Sequence, residues 1–495
     1  MTGSTSGRSA LDKDLDKITY AEEATVFFAR SRIAIACGAA FLLAVFLISA
    51  VVLQSHPQWL LLTAALALGG YMALNIGAND VANNMGPAVG ARALTMGAAL
   101  LIAAVFEGAG ALLVGDRVVD TISTGLLNSD AFQNAGDFTL AMLAALVAAA
   151  VWVNIATLIG APVSTTHAVG GGVLGAGIGA VGLGALSGPT LLLVAMSWLV
   201  TPLAGALVAA AMLAVIHRGI VQREDRVAAA RTWVPVIFAA MAGTFTLYML
   251  VVVPPRSGGV SAAVMGAAVA IAGLGAYLLA RSVLDRLTVA KGDELPTLRQ
   301  LFRVPLAAAA ALLSFAHGAN DVANAVGPVA AIFAVVESTP GAEHLEFGMS
   351  VLAIAALGIC LGVLLFGPRL VRMVGERITR LNAVRGFCVV LATAAVVLMA
   401  SAFGLPVSST HIAVGAVFGV GFYREWVSNK GRGSRARPSD QQMDADGMDR
   451  APDLHRRHLV RRAHLLTIVM AWVVTVPASA VIAMVARYCL QVIVG

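Results

Sequence analysis

The chain has 495 residues, 59% of them hydrophobic and only 12% charged, and its mean hydropathy of +0.86 excludes an ordinary soluble domain. The formal charge of +6 comes from Lys and Arg gathered in a few loops, the pattern of cytoplasmic membrane loops rather than of a nucleic-acid binder. Cys37, Cys360, Cys388 and Cys489 lie in or beside apolar segments without ligand-like spacing, which argues against a disulfide framework or a metal cluster.

Apolar runs of about 20 residues, enough to cross a hydrocarbon core of about 30 Å as helices, recur along the whole length. Short alternating strands, the mark of a barrel, do not. The expected fold is therefore an all-α polytopic membrane protein in the cell membrane. A polar segment at 1–32 balances Arg8, Lys13, Lys17, Arg30 and Arg32 with acids. It precedes an apolar run too long for a signal peptide, so the run at 33–53 is expected to remain as an extra N-terminal transmembrane helix. Next comes a span at 59–76 that leads into Gly-Ala-Asn-Asp-Val-Ala-Asn-Asn-Met-Gly-Pro at 77–87. A span at 93–114 carries Glu107 in its interior, a polar stretch fills 115–137, and a span at 140–159 runs into Pro162-Val163-Ser164-Thr165-Thr166-His167. A long apolar run with Trp198, Thr201 and Pro202 closes a first unit at 59–216. A helical hairpin with basic loops occupies 217–303.

In 304–488 the order of events repeats. Gly-Ala-Asn-Asp-Val-Ala-Asn-Ala-Val-Gly-Pro stands at 318–328, Gly367-Pro368-Arg369 answers Gly115-Asp116-Arg117, Pro406-Val407-Ser408-Ser409-Thr410-His411 answers its counterpart, and Trp472 and Thr475 echo Trp198 and Thr201. Four landmarks in one order indicate duplication. The stretch 115–137 sets Arg117 against Asp116, Asp120, Asp130 and Asp137, whereas 367–385 sets five arginines against Glu376. Corresponding loops of opposite charge belong on opposite sides of the membrane, so the repeats are expected to be inverted. The basic loops, including the polar loop 424–462, then lie in the cytoplasm with the N-terminus. About 13 crossings follow, with the glycine-rich segments after Pro162 and Pro406 either spanning or re-entrant, and broken helices meeting at a midplane site.

A carboxylate among asparagines at membrane depth is costly and points to function. On a helical turn Asn79, Asp80 and Asn83 share a face, and Gly86-Pro87 is expected to end the helix. Carboxylate, amide and freed backbone oxygens are hard ligands for a small cation such as Na⁺, and Asp80 or Asp321 could instead carry a proton. The bland alternative is asparagine as hydrogen-bonding glue between helices. Three hydroxyls after a proline, where a helix starts, make an anion site without lysine or arginine. Their bland alternative is N-capping. His167 and His411 fit a structural hydrogen bond as well as anion or proton handling. Glu107 falls opposite Ile359 in the second repeat, so its role, coupling or structural, is not duplicated.

The paired Gly-Ala-Asn-Asp-Val-Ala-Asn stretches, each followed by Gly-Pro and later by Pro-Val-Ser-(Ser/Thr)-Thr-His, closely resemble the PiT family of inorganic phosphate transporters, from about residue 59 to the C-terminus. The resemblance implies cation ligands at Asn79, Asp80, Asn83, Asn320, Asp321 and Asn324. For phosphate it implies Ser164, Thr165, Thr166, Ser408, Ser409 and Thr410 with Asp80, Asp321, Asn83 and Asn324. Na⁺ would be the metal at the cation residues. The first copy reads Asn84-Met85 where the second reads Ala325-Val326, and Glu107 lacks the partner glutamate of some members. The expected function is symport of inorganic phosphate with a cation, Na⁺ rather than H⁺, by alternating access. The alternatives are a sulfate or a metal-phosphate/proton symporter of the same fold, and, in another class, an anion channel. A hydrolase built on Ser164 and His167 is disfavoured, because no orienting residue or nucleophile motif accompanies them. No cofactor beyond the co-transported ion is expected. The partners are phosphate, Na⁺ or H⁺, the lipid bilayer and, as one option, a second copy in a homodimer; nucleic acid is not among them.

Overall fold

The computed structural model describes residues 10–159, 161, 163–253, 260–289, 297–337, 348–375, 381–433 and 462–494. Thirteen long helices account for most of them: α1 (Ala10–Leu53), α2 (Trp59–Gly90), α3 (Met96–Val114), α4 (Ala135–Ile159), α5 (Thr165–Val181), α6 (Gly188–Ile216), α7 (Arg226–Val252), α8 (Ala262–Val289), α9 (Arg303–Glu337), α10 (Gly348–Met373), α11 (Ala383–Ala402), α12 (Ser409–Gly433) and α13 (Arg462–Val494). Among the described residues, β pairing is confined to one isolated bridge, Leu127 to Leu186. Among the described residues, twelve helical segments are long and apolar enough to cross a membrane. The thirteenth helix, α12, does not qualify because its distal part carries Arg424, Glu425, Lys430 and Arg432. Against the expected tally of about 13 crossings, twelve such segments are found among the described residues.

The helices pack in matched sets. α2 lies on α10 as α9 lies on α3, α6 on α12 as α13 on α5, and α4 on α13 as α11 on α6. Glycine explains how closely they approach. A Cβ on Gly77 would strike the Ile359 carbonyl oxygen, and one on Gly318 would strike that of Glu107. Gly175 meets the Ala480 carbonyl in the same way that Gly419 meets that of Ala206. In these reciprocal contacts each segment presents to the other what it receives. They also pair Glu107 with Ile359, the alignment the sequence landmarks require. α7 and α8 form the intervening hairpin, and none of the side chains along the apolar window of α8 is buried by protein.

Three boundaries differ from expectation. Gly86-Pro87 does not end α2, which continues to Gly90, and α9 runs past Pro328 to Glu337. A proline removes one donor to the carbonyl four residues back, so each helix survives by releasing only the carbonyl of Asn83 or Asn324. Membrane helices tolerate this where neighbouring groups take up the freed oxygen. The polar segment 1–32 is not separate: from Ala10 it is helical and continuous with the first span. The polar loop 424–462 begins as the helical end of α12, to Gly433, and closes at Arg462 with α13; residues 434–461 fall outside the described ones.

Candidate functional site

The two Asn-Asp stretches sit in the interiors of α2 and α9, both largely enclosed by other helices. Asp80 and Asp321 are each 1% exposed. Facing them are the N-terminal turns of α5 and α12, whose starts are set by serine. The Ser164 hydroxyl accepts from the His167 backbone N–H at 3.1 Å, and Ser408 accepts from that of His411 at 3.3 Å. Both are N-caps, which satisfy one orphan donor of the first turn. The next residues then project toward the carboxylates.

Hydroxyls from both halves converge on Asp80. Thr165 donates to its Oδ2 at 3.0 Å and Thr410 to its Oδ1 at 3.3 Å. The asparagines cross over. Asn83 donates to Thr410 Oγ1 at 2.8 Å and reaches Asp80 Oδ1 at 3.4 Å. Its counterpart Asn324 donates to Thr166 Oγ1 at 3.2 Å and to Thr165 Oγ1 at 3.5 Å. Ser409 lies at the long limit, 3.5 Å from Asp321 Oδ2. Thr166 in turn donates to the Val407 carbonyl at 3.0 Å, stitching one half's hydroxyl turn to the other's.

Asn79 and Asn320 turn to neighbouring helices instead. Asn79 donates to Thr157 Oγ1 on α4 at 2.9 Å. Asn320 donates to Ser401 Oγ on α11 at 2.9 Å and to the Leu405 carbonyl at 3.0 Å, while its Oδ1 accepts from the Val407 N–H at 3.1 Å. Asn320 therefore clamps the turn leading into α12. His167 and His411 lie behind the hydroxyl turns, their rings 4.3 Å apart, with His167 edge-on to Trp198 at 3.9 Å. They meet each other rather than the carboxylates.

One functional candidate escaped the sequence reading. His317, fully buried and one turn before Asp321, places Nε2 at 2.8 Å from Asp321 Oδ2 and 3.7 Å from Asp80 Oδ2. Its Nδ1 lies 3.1 Å from Glu107 Oε2. The other oxygen of Glu107 accepts from Asn84 Nδ2 at 2.9 Å. The corresponding residues of the other half are Ile76, Ile359 and Ala325, so this polar chain belongs to one half alone. The signal was available: each of the three was a mismatch between the copies, and together they form one connected set.

The acceptors Asn79 Oδ1, Asn324 Oδ1 and Asp321 Oδ1 are buried without a hydrogen-bond partner among the described residues. Such oxygens suit a hard cation. A cavity of about 210 Å³, lined by Ile122, Leu126, Val169, Leu191, Trp198 and Pro406, reaches Thr166 from the side of the 115–137 stretch.

Comparison with known proteins decides the family, because the Phosphate transporter family matches residues 76–483, most of the chain. The chain belongs to the phosphate transporter family. It is 38% identical to the "Putative phosphate permease" of Helicobacter pylori, over 95% of this chain and 97% of that one. It is 34% identical to "Inorganic phosphate transporter 2-1, chloroplastic" of Arabidopsis thaliana, over 86% of this chain and 71% of that one. Among solved structures, "The sodium-dependent phosphate transporter" superposes with a TM-score of 0.72 at 32% identity, covering 88% of this chain and 99% of that chain. This member of the phosphate transporter family is thus a multi-pass membrane transporter of phosphate and not an enzyme.

Proposed function

We propose that the chain is a secondary active symporter that couples inorganic phosphate to a cation, Na⁺ in preference to H⁺, across the plasma membrane. The observation that carries the reading is the convergence of Thr165 and Thr410, one hydroxyl from each half, on the single carboxylate of Asp80. In this reading the halves are inverted repeats, and with α12 counted as the fifth crossing of the second half, the second copy is turned over relative to the first. Both hydroxyl turns then enter one midplane site from opposite faces, the arrangement in which rocking one half against the other gives alternating access.

The chemistry divides by donor type. Thr165, Thr166, Ser409 and Thr410, together with the N–H groups of two helix starts, present donors to phosphate oxygens. Ser164 and Ser408 shape those starts as caps. Asp80, Asp321, Asn83 and Asn324, with the proline-released carbonyls, present oxygens to Na⁺. Asn79 and Asn320 hold the frame from α4 and α11. A cation between the carboxylates and the incoming phosphate removes the repulsion among three anionic groups, which makes the affinity of either ligand depend on the other. The name of the sodium-dependent structural relative supports Na⁺ over H⁺. The apolar cavity ending at Thr166 supports access from the side expected to face outward.

Equilibrium binding of labelled phosphate to the purified protein tests the coupling. Na⁺ should lower the phosphate Kd, and phosphate should lower the Na⁺ Kd by the same factor, since linkage is reciprocal. A phosphate affinity indifferent to Na⁺ would overturn the choice of ion.

A further inference from the structure

Between α11 and α12 the chain runs as a non-helical strap at 403–408. Four consecutive carbonyls of this strap each accept from a side chain of a different element. Thr121, in the turn after α3, donates to Gly404 at 2.6 Å, and Asn320 on α9 donates to Leu405 at 3.0 Å. Trp198 on α6 donates through its indole N–H to Pro406 at 3.1 Å, and Thr166 on α5 donates to Val407 at 3.0 Å. Asn320 and Thr166 belong to the site already described, whereas Thr121 and Trp198 lie outside its phosphate and cation sets. We infer that Thr121 and Trp198 are positioning residues of the transport cycle, which hold the strap shut as the outer cover of the phosphate site. The inference rests on the alternating-access reading, with the 115–137 stretch facing outward.

Three observations carry this. First, the strap is held at its carbonyls by groups that can let go. The N–H groups of Gly404 and Leu405 return to Ser401 and Ala400, and that of Val407 goes to Asn320. Gly404 has φ +67°, and a Cβ there would come within 3.0 Å of the Arg117 carbonyl oxygen, so the strap lies directly on the segment that carries Thr121. A buried carbonyl needs a partner, but water entering from outside replaces a side-chain donor at small net cost.

Second, the strap leads straight into Ser408, Ser409 and Thr410, and Thr410 is a donor to Asp80. Displacing the strap therefore draws one hydroxyl turn off the carboxylate. The cavity of about 210 Å³, with Ile122, Trp198 and Pro406 in its wall and Thr166 at its end, gives Pro406 open space beside it in which to move.

Third, the latch is one-sided. Met373 stands six residues after Gly367 as Thr121 stands six after Gly115, and it carries no donor. Asn79, the counterpart of Asn320, donates to Thr157, and Thr410, the counterpart of Thr166, donates to Asp80. Three of the four latching side chains thus have counterparts put to other uses. The turns into α5 and α12 are held differently, so each can release on its own, as alternating access requires.

Cysteine labelling of the full chain in intact cells tests this. With the exposed Cys37 and Cys489 replaced by serine, Val407→Cys puts a thiol at a fully buried strap position. A membrane-impermeant maleimide added outside reads its exposure, against the same chain retaining Val407. Labelling should be slow in this parent and about 2–10-fold faster with Thr121→Val or Trp198→Phe, each of which removes one hydrogen bond from the closed state. Thr121→Ser should restore the parent rate. Thr124→Val, whose hydroxyl donates to the Asp120 carbonyl and not to the strap, should leave the rate unchanged. In proteoliposomes, half-saturating external phosphate should fall with Thr121→Val, because a larger fraction of the protein is competent to bind; a purely structural role would not lower it. Labelling unchanged in both variants, acceleration that Thr121→Ser does not reverse, or half-saturation that fails to fall would each overturn the inference. Trp198→Phe keeps the labelling decisive if Thr121→Val does not fold. Labelling needs neither phosphate nor Na⁺, so it can fail while symport stands, and a failure of symport shows separately in uptake.

Discussion

Asn84 donates to Glu107 at 2.9 Å across the α2–α3 interface, and the two residues that replace them in the other half, Ala325 and Ile359, are both apolar. Both departures from perfect repetition are therefore one interaction. A buried carboxylate and a buried amide satisfy each other here, whereas the other half fills the same space with methyl groups.

The pair should behave as a unit. Asn84→Ala leaves a Glu107 oxygen without its donor, which costs about 1–3 kcal/mol. Glu107→Ile alone strands both Asn84 and His317. Combining Asn84→Ala with Glu107→Ile restores the pairing found in the second half, and the double variant should be more stable than the sum of the singles by roughly 0.5–3 kcal/mol. Thermal unfolding in detergent reads this; strict additivity would show that the two do not interact.

Backbone crowding makes a second prediction. Gly77→Ala and Gly318→Ala each push a Cβ into a carbonyl of the facing helix, Ile359 or Glu107, where no flexible side chain can yield. Both should lower the melting temperature and broaden the size-exclusion peak. Gly97→Ala, where a Cβ meets nothing within 4 Å, should be neutral or slightly stabilising because alanine favours helix by about 1 kcal/mol over glycine. Equal behaviour of all three would contradict the packing.

The hydroxyls separate into two roles that mutation can distinguish. Thr410→Val removes a donor to Asp80 and the acceptor of Asn83, and hydrogen bonds to charged groups contribute about 1.5–3 kcal/mol. Phosphate affinity should fall roughly tenfold or more. Ser408→Ala removes a cap and should cost about 1 kcal/mol of stability, with a smaller effect on affinity. Binding isotherms and melting curves of the two variants check the split, and an inverted ranking would assign the serine to the ligand.

Much of this was legible in the sequence. The duplicated Asn-Asp and hydroxyl stretches announced which residues would meet, because a costly polar group in an apolar run survives only where something offsets it. Charges on 115–137 and 367–385 gave an expectation of orientation. Helix ends were harder to read. Pro87 suggested a stop, yet in a span held on all sides a missing N–H costs one bond rather than the helix. A single histidine beside a motif carries no periodic signal, so His317 shows in the sequence only as a mismatch between the copies. Only folding brings α3 against α9 and joins it to Glu107.

The carboxylates themselves allow a direct check. Asp80→Asn and Asp321→Asn keep shape and remove charge, so each should insert normally and lose cation-coupled uptake. Normal transport in both would place the cation elsewhere.

The central claim is coupling of phosphate movement to a cation through this two-sided site. Uptake of labelled phosphate into proteoliposomes, with Na⁺ and pH gradients imposed independently, tests it most directly. An inward Na⁺ gradient at equal pH should drive phosphate above its equilibrium distribution, and collapse of that gradient should release it. Phosphate that only equilibrates, whichever gradient is imposed, would contradict symport and favour a channel.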